Sequence, residues 1–241
     1  MTFLRNKSSS FIIILLLAVL ASCSARIDGV VKEGGATTLN IKTSLEPRTS
    51  ALIRSLMSFM REDVNAPILD GVAISRSMAA APGINSVSLK NTGSAALEGS
   101  ISIANVGSFL ALSGAKTRFI TYTEGRTAGS SSIVIVLNRE SAPEIISMLS
   151  PEIEEYLSAL MAPVVLGETS TRQEYLNLLT SIYGRPLSDE IAAARIRAFI
   201  EFPRPVTEIR GGNASGKQAE FDIPITDILV LERPLYYSIS W

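Results

Sequence analysis

Ser131-Ser132-Ile133-Val134-Ile135-Val136-Leu137-Asn138-Arg139-Glu140-Ser141-Ala142-Pro143-Glu144 is where the chain changes from one kind of structure to another. Its first half is an unbroken run of β-branched and apolar residues, which predicts a strand buried on both faces or central in a sheet. Its second half, Ser141-Ala142-Pro143-Glu144, has the spacing of a capping box, in which a serine hydroxyl and a glutamate three residues on satisfy each other's backbone N–H groups. A helix is expected from there to about Leu149. Ser150-Pro151 restarts one to about Met161, Thr169 or Ser170 caps another to Tyr183, where Gly184 stops it, and Ser188 caps a last one towards Arg195.

On both sides of this helical block, 141–194, the chain reads as strands. Upstream, Phe119-Ile120-Thr121-Tyr122 pairs with Ile133 to Leu137 across a Gly/Ser/Thr turn at Gly125 to Ser130. Before it, Ile84, Val87 and Leu89 and then Leu97, Ile101 and Ile103 flank Asn91-Thr92-Gly93-Ser94, a second hairpin. Leu39-Asn40-Ile41-Lys42-Thr43 alternates, as a strand with one buried face does. Downstream, Phe199 to Ile209, Ala219 to Ile225 and a last strand through Leu235, Tyr237, Ile239 and Trp241 are expected, with Gly211-Gly212-Asn213 a turn between the first two. Strands around a helical block give an α+β class: an antiparallel, curled sheet packed against amphipathic helices, with a helical insertion before the C-terminal strands.

Two helices are expected before the insertion. Ser44-Leu45-Glu46-Pro47 is a helix entrance, and Leu52, Ile53, Leu56, Phe59 and Met60 then form one apolar stripe. The second runs from about Asp70 to Ala81, ended by Pro82-Gly83. Gly107 to Gly114 is read as a loop or a helical turn.

At the N-terminus, Arg5 and Lys7 precede an apolar run from Phe11 to Ala21, closed by Leu20-Ala21-Ser22-Cys23. This is the three-part build of a secretory signal, and the run is shorter than the ~20 apolar residues that span a bilayer. The pattern Leu-Ala-Ser-Cys resembles the lipobox of bacterial lipoproteins. That resemblance implies cleavage before Cys23, a diacylglyceryl group on its thiol and further acylation of the new amine. Two or three acyl chains hold a protein stably, since each buried methylene contributes about 0.8 kcal/mol. The expected organisation is a signal peptide at 1–22, a lipidated N-terminus and short tether at 23–26, and a single domain at 27–241. The resemblance implies anchoring in the cell membrane or outer membrane, facing the periplasm or exterior, and Ser24 after the cysteine leans towards the outer membrane where one exists.

The segment from Ile200 to Trp241, with Pro205-Val206, the Gly211-Gly212 turn and two strands ending in aromatics, resembles the closing segment of LppM-type bacterial lipoproteins. The order helix, Pro82-Gly83, strand is similar to their middle. The resemblance implies a β-rich anchored domain curled around helix, with lipid-associated work in the envelope. The helical insertion has no counterpart there, and no functional residue transfers.

Composition narrows the chemistry. There is no histidine, and Cys23 is the only cysteine, so histidine triads, thiolate nucleophiles and Cys/His metal sites are excluded once Cys23 is acylated. A net charge of −1 offers no footprint for nucleic acid. Gly211 to Lys217 fits G-x-x-x-x-G-K, but Gln218 stands where a hydroxyl residue is needed and a strand follows in place of a helix, so the reading is a hairpin turn. Ser113-Gly114-Ala115-Lys116 fits S-x-x-K without the companion elements of that chemistry. Glu152, Glu154 and Glu155 complement a helix dipole, and Asp222 and Asp227 lie near strand ends without a defined separation. Trp241 is read as part of a core-packed last strand, since eight or more strands would be needed for a membrane barrel.

The expectation is therefore a non-catalytic, membrane-anchored domain with no cofactor and no metal, binding an apolar or lipid ligand. Its walls would be Leu52, Leu56 and Phe59 on one helix and Ile145, Leu149, Leu157 and Leu160 of the insertion. The alternative is a structural or assembly lipoprotein docking onto an envelope protein complex.

Overall fold

Two nine-residue strands set the frame. In a computed structural model that describes residues 23–58, 67–114, 119–142 and 160–241, β1 (Cys23–Val31) and β2 (Thr37–Leu45) form an antiparallel hairpin in register from Cys23↔Leu45 to Val31↔Thr37. Alternation selects their inward face: Ala25, Ile27, Val31, Ile41 and Leu45 are buried, while Ser24, Arg26, Asn40, Lys42 and Ser44 point to solvent. β1 starts at Cys23, so Ser24 to Arg26 are strand residues and not the spacer expected from composition.

Around this hairpin a seven-stranded sheet is ordered β3-β4-β2-β1-β7-β10-β9, with β3 (Ile84–Gly93), β4 (Ala96–Ile103), β7 (Arg195–Glu201), β9 (Asn213–Ser215) and β10 (Gln218–Pro224). The β3–β4 hairpin and the one joining Ile120–Glu124 to Ser131–Leu137 form as expected, although β3 runs through Asn91 to Gly93 and its turn is shortened to Ser94-Ala95. One pairing departs from a purely antiparallel sheet: β1 and β7 run parallel, with Ala25 opposite Ile196 and Ile27 opposite Ala198. The insertion causes this. A chain that ends one strand at Leu137 and whose next described strand begins at Arg195 can re-enter beside β1 in either direction, whereas hairpins are forced antiparallel.

A second sheet is ordered β5-β6-β11-β8, from β5 (Ile120–Glu124), β6 (Ser131–Leu137), β8 (Glu208–Arg210) and β11 (Leu235–Ser240). β6 is central, as its apolar run predicts. Its side chains from Ser131 to Val136 are half-buried, so central placement rather than burial on both faces accounts for the run. Gly211-Gly212 carries the chain from β8 in this sheet to β9 in the other, and β9 and β10 then form the hairpin expected at Gly211 to Lys217.

The two sheets are neither joined nor closed into a barrel, and two apolar clusters lie between and beside them. At one end Val31, Ile41, Leu89, Ile101, Ile103, Phe202, Ile239 and Trp241 pack together, with the Trp241 and Phe202 rings 4.5 Å apart. Trp241 is core-packed as expected, and its backbone exchanges hydrogen bonds with Ser131. At the opposite end Ala25, Ile27, Leu45, Ile196 and Leu137 meet helices.

Those helices are α1 (Pro47–Ser58), α4 (Ala162–Val165), α5 (Arg172–Tyr183), α6 (Arg185–Ala193) and α7 (Ile225–Val230). Elsewhere α2 (Gly71–Ala79) is capped by Asp70, whose carboxylate accepts from Val72 N and Ala73 N, and covers β3. α3 (Val106–Gly114) settles the Gly107 region as helix: Asn105 accepts from Ser108 N and donates to Gly34 O. The Ser141–Leu149 and Ser150–Met161 helices and Glu152, Glu154 and Glu155 fall largely or wholly outside the described residues, as do the last residues of the S-x-x-K match.

Candidate functional site

Three chain crossings place a helical cap at the end of the sheets where Cys23 opens β1. Cys23 pairs with Leu45, after which the chain enters α1. Ala25 pairs with Ile196, which follows α6 directly, and Arg195 pairs with Pro224, after which α7 begins. α5 packs on α6 and α7, and the carbonyl of Ala194 accepts from Ile225 N at 3.0 Å, tying the α6 end to the start of α7.

The cap is held by specific bonds. Thr171, one residue beyond the two cap candidates read from sequence, starts α5 with a capping box: its hydroxyl accepts from Glu174 N at 3.2 Å and the Glu174 carboxylate accepts from Thr171 N at 2.8 Å. The Thr171 N–H and, second, its hydroxyl both donate to this carboxylate and hold the Glu174 carboxyl below its usual pKa. Buried Tyr175 donates to the Leu160 carbonyl at 2.9 Å, and Ser188 of α6 donates to the Leu176 carbonyl at 2.9 Å. Arg139, just beyond β6, donates to the carbonyls of Leu231, Val230, Glu168 and Ser170 and so stitches the α4–α5 turn to the residues after α7.

The sequence-predicted wall residues fall as follows. Leu160 is buried at 4% exposure beside Tyr175, Leu179 and Ile191, and Leu52 is half-buried against the same cluster. Leu56 lies on α1. Phe59, Ile145, Leu149 and Leu157 lie outside the described residues. Leu52 and Leu160 therefore share one core. What sequence reading passed over is the outward flank of α5: Leu178 is 47% exposed and Ile182 59%, while Tyr175 and Leu179 of the same helix are buried and half-exposed Tyr183 lies beyond them on the other side. Leu178 and Ile182 are one turn apart, and the signal was present as an apolar arc wider than one packing stripe needs.

A second feature lies on the solvent face of the seven-stranded sheet. A hollow of about 430 Å³ is lined by residues that include Arg26, Asp28, Phe199, Glu201, Ser215 and Glu220. It shares Asp28 and Asn40 with a neighbouring hollow of about 480 Å³ over Lys42, Lys90, Glu98 and Ser100. At the centre the Arg26 guanidinium sits 4.4 Å from the Phe199 ring centroid and makes two 2.8 Å bonds to Asp28. Asp28 strengthens the charged form of Arg26, raising its pKa. Within the second hollow Lys90 lies 3.1 Å from Glu98, and on the same sheet Arg195 and Arg197 lie 3.5 and 3.8 Å from Asp222. The result is an open trough whose charged lining leans acidic at the first hollow, where Arg26 meets Asp28, Glu201 and Glu220. Asp222 is part of this pairing and Asp227 pairs with Arg172 at 3.7 Å, so the two strand-end aspartates act in separate ion pairs. Among the described residues no three acidic or cysteine side chains are grouped to hold a metal ion, and no helix is long and apolar enough to cross a membrane.

No protein-family model and no curated protein matches the chain. Among solved structures, the NMR structure of the folded domain of Mycobacterium tuberculosis LppM is similar to it with a TM-score of 0.39 and 12% identity, covering 91% of this chain and 89% of that one.

Proposed function

We propose that this chain is a bacterial envelope lipoprotein, anchored in the cell membrane or outer membrane through acyl groups on Cys23, whose α+β domain binds an apolar ligand such as a lipid without catalysis. The observation that carries the reading is the apolar helical cap at the end of the sheets where Cys23 opens β1. Leu20-Ala21-Ser22-Cys23 supports the anchor, and the missing histidines support a binding role over hydrolysis. A lipid-facing function suits a cap that leaves Leu178 and Ile182 exposed on one flank.

A second reading, docking onto an envelope protein, is favoured by the polar trough around Arg26 and Phe199, which is open enough to admit a segment of another chain. One experiment separates them. Residues 24–241, purified without detergent, are analysed by native mass spectrometry and then extracted with organic solvent. A stoichiometric lipid supports the binding module. A protein that is empty in repeated preparations rules that reading out and leaves docking through the trough.

A further inference from the structure

Because β1 begins at Cys23 itself, the anchoring atom and the first buried residue, Ala25, are only two positions apart. A strand rises about 3.3 Å per residue, so a lipid on Cys23 leaves the near end of the domain within a side-chain length of the headgroups. There is no linker to hold it away. That end is the helical cap, and α5 there exposes Leu178 and Ile182, one turn apart on one flank of its buried Tyr175 and Leu179 stripe.

We propose that this flank of α5 is a membrane-contact surface: Leu178 and Ile182 enter the interfacial layer of the bilayer to which Cys23 is attached, and fix the orientation of the domain on it. The proposal rests on the anchoring reading above. The chemistry suits an interface: two aliphatic side chains one turn apart supply apolar area that water does not reward. The attraction is apolar rather than electrostatic. Glu174 lies one turn before Leu178, and Arg185, just past α5, lies 3.8 Å from Asp189, so no cationic patch is built beside the flank. In this orientation the polar trough, whose two hollows reach from Asp28 and Asn40 across Phe199 and Lys90, stays open to the aqueous phase.

The test uses the full chain, acylated in a bacterial host and reconstituted in phosphatidylcholine vesicles. Once Cys23 is acylated there is no other thiol, so Ile182→Cys and, as a control on the trough side, Val30→Cys each accept one nitroxide label. Ile182 and Val30 are 59% and 40% exposed, so neither label disturbs the core. The expected result is a label at position 182 several-fold more accessible to oxygen than to a water-soluble nickel relaxant, a label at 30 with the reverse ratio, and no change when the salt is raised. Protein that floats with the vesicles but shows the same aqueous accessibility at both positions overturns this proposal and leaves the anchor standing. Protein that does not float overturns the anchoring reading, and the proposal with it.

Discussion

Glu190 caps a helix that begins about 140 residues earlier in the chain. Its carboxylate accepts from Arg48 N at 3.2 Å, Thr49 N at 2.9 Å and the Thr49 hydroxyl at 3.2 Å, so the N-terminus of α1 is satisfied from α6. The local sequence Ser44-Leu45-Glu46-Pro47 placed the helix entrance correctly but could not reveal the residue that caps it. An anion at a helix N-terminus also complements the dipole. Glu190→Ala is expected to cost about 1–2 kcal/mol in urea denaturation, from lost charge-assisted bonds and an uncapped first turn; an unchanged midpoint would show that water replaces the carboxylate at no cost. Two threonines point the other way. The hydroxyls of Thr43 and Thr226 are buried without a hydrogen-bond partner among the described residues. Replacing either by the isosteric valine removes an unpaid desolvation penalty. Thr43→Val and Thr226→Val should therefore leave stability unchanged or raise it by up to about 1 kcal/mol, and a loss of that size in either would reveal a partner for the hydroxyl.

At the scale of elements, the hairpins were legible because turn residues and alternating side chains lie side by side in sequence. The β3–β4 pair shows how tightly that local information is set: a Cβ at Gly99 would lie 1.9 Å from the Ser88 carbonyl oxygen. Backbone cannot yield as a flexible side chain can, so Gly99→Ala is expected to destabilise by about 2–3 kcal/mol in thermal or urea unfolding. A variant as stable as the parent would mean that β3 can bulge there at little cost. The parallel β1–β7 pairing was not legible, because nothing local distinguishes parallel from antiparallel partners. β7 also begins at Arg195, where the helix of the insertion was expected to be ending. Arg195-Ile196-Arg197-Ala198 carries no turn residue, and α6 ends only because Ile196 is drawn into the core beside Ala25 and Ile223. Leu160 was found as an apolar insertion residue, but its partnership with the Tyr175 hydroxyl depends on tertiary packing alone. The trough was not legible: Arg26 was read as part of the tether, and the hollow that brings Arg26, Asp28, Phe199 and Glu220 together depends on strand order and curl.

Across the whole molecule, burial ties stability to alkaline pH. Tyr175 donates its proton inside the cap, and burial, with Tyr183 adding to it, pushes its phenol far above the ordinary value of about 10. Burial likewise pushes Tyr237, which packs edge-on to Phe221, up to about 12. Both shifts are upward, so the stability they contribute is fully present below pH 10, the unfolded value. It declines as pH rises from about 10 towards the folded values, because the unfolded chain releases protons first. Urea midpoints measured at pH 9 and pH 11 should fall over that interval in the parent and fall less in Tyr175→Phe. An equal fall in both would mean that other groups set the alkaline limit.

The account as a whole stands on one covalent expectation, that the strand opening at Cys23 is where the protein is fastened. Its most direct test is intact mass spectrometry of the full chain produced in a bacterial host and extracted from its membranes. The account predicts a chain that begins at Cys23 and carries a diacylglyceryl group on the thiol, with Cys23→Ser released from the membrane fraction. A chain with an unmodified Cys23 thiol, or a Cys23→Ser protein that remains in the membrane as before, would contradict it.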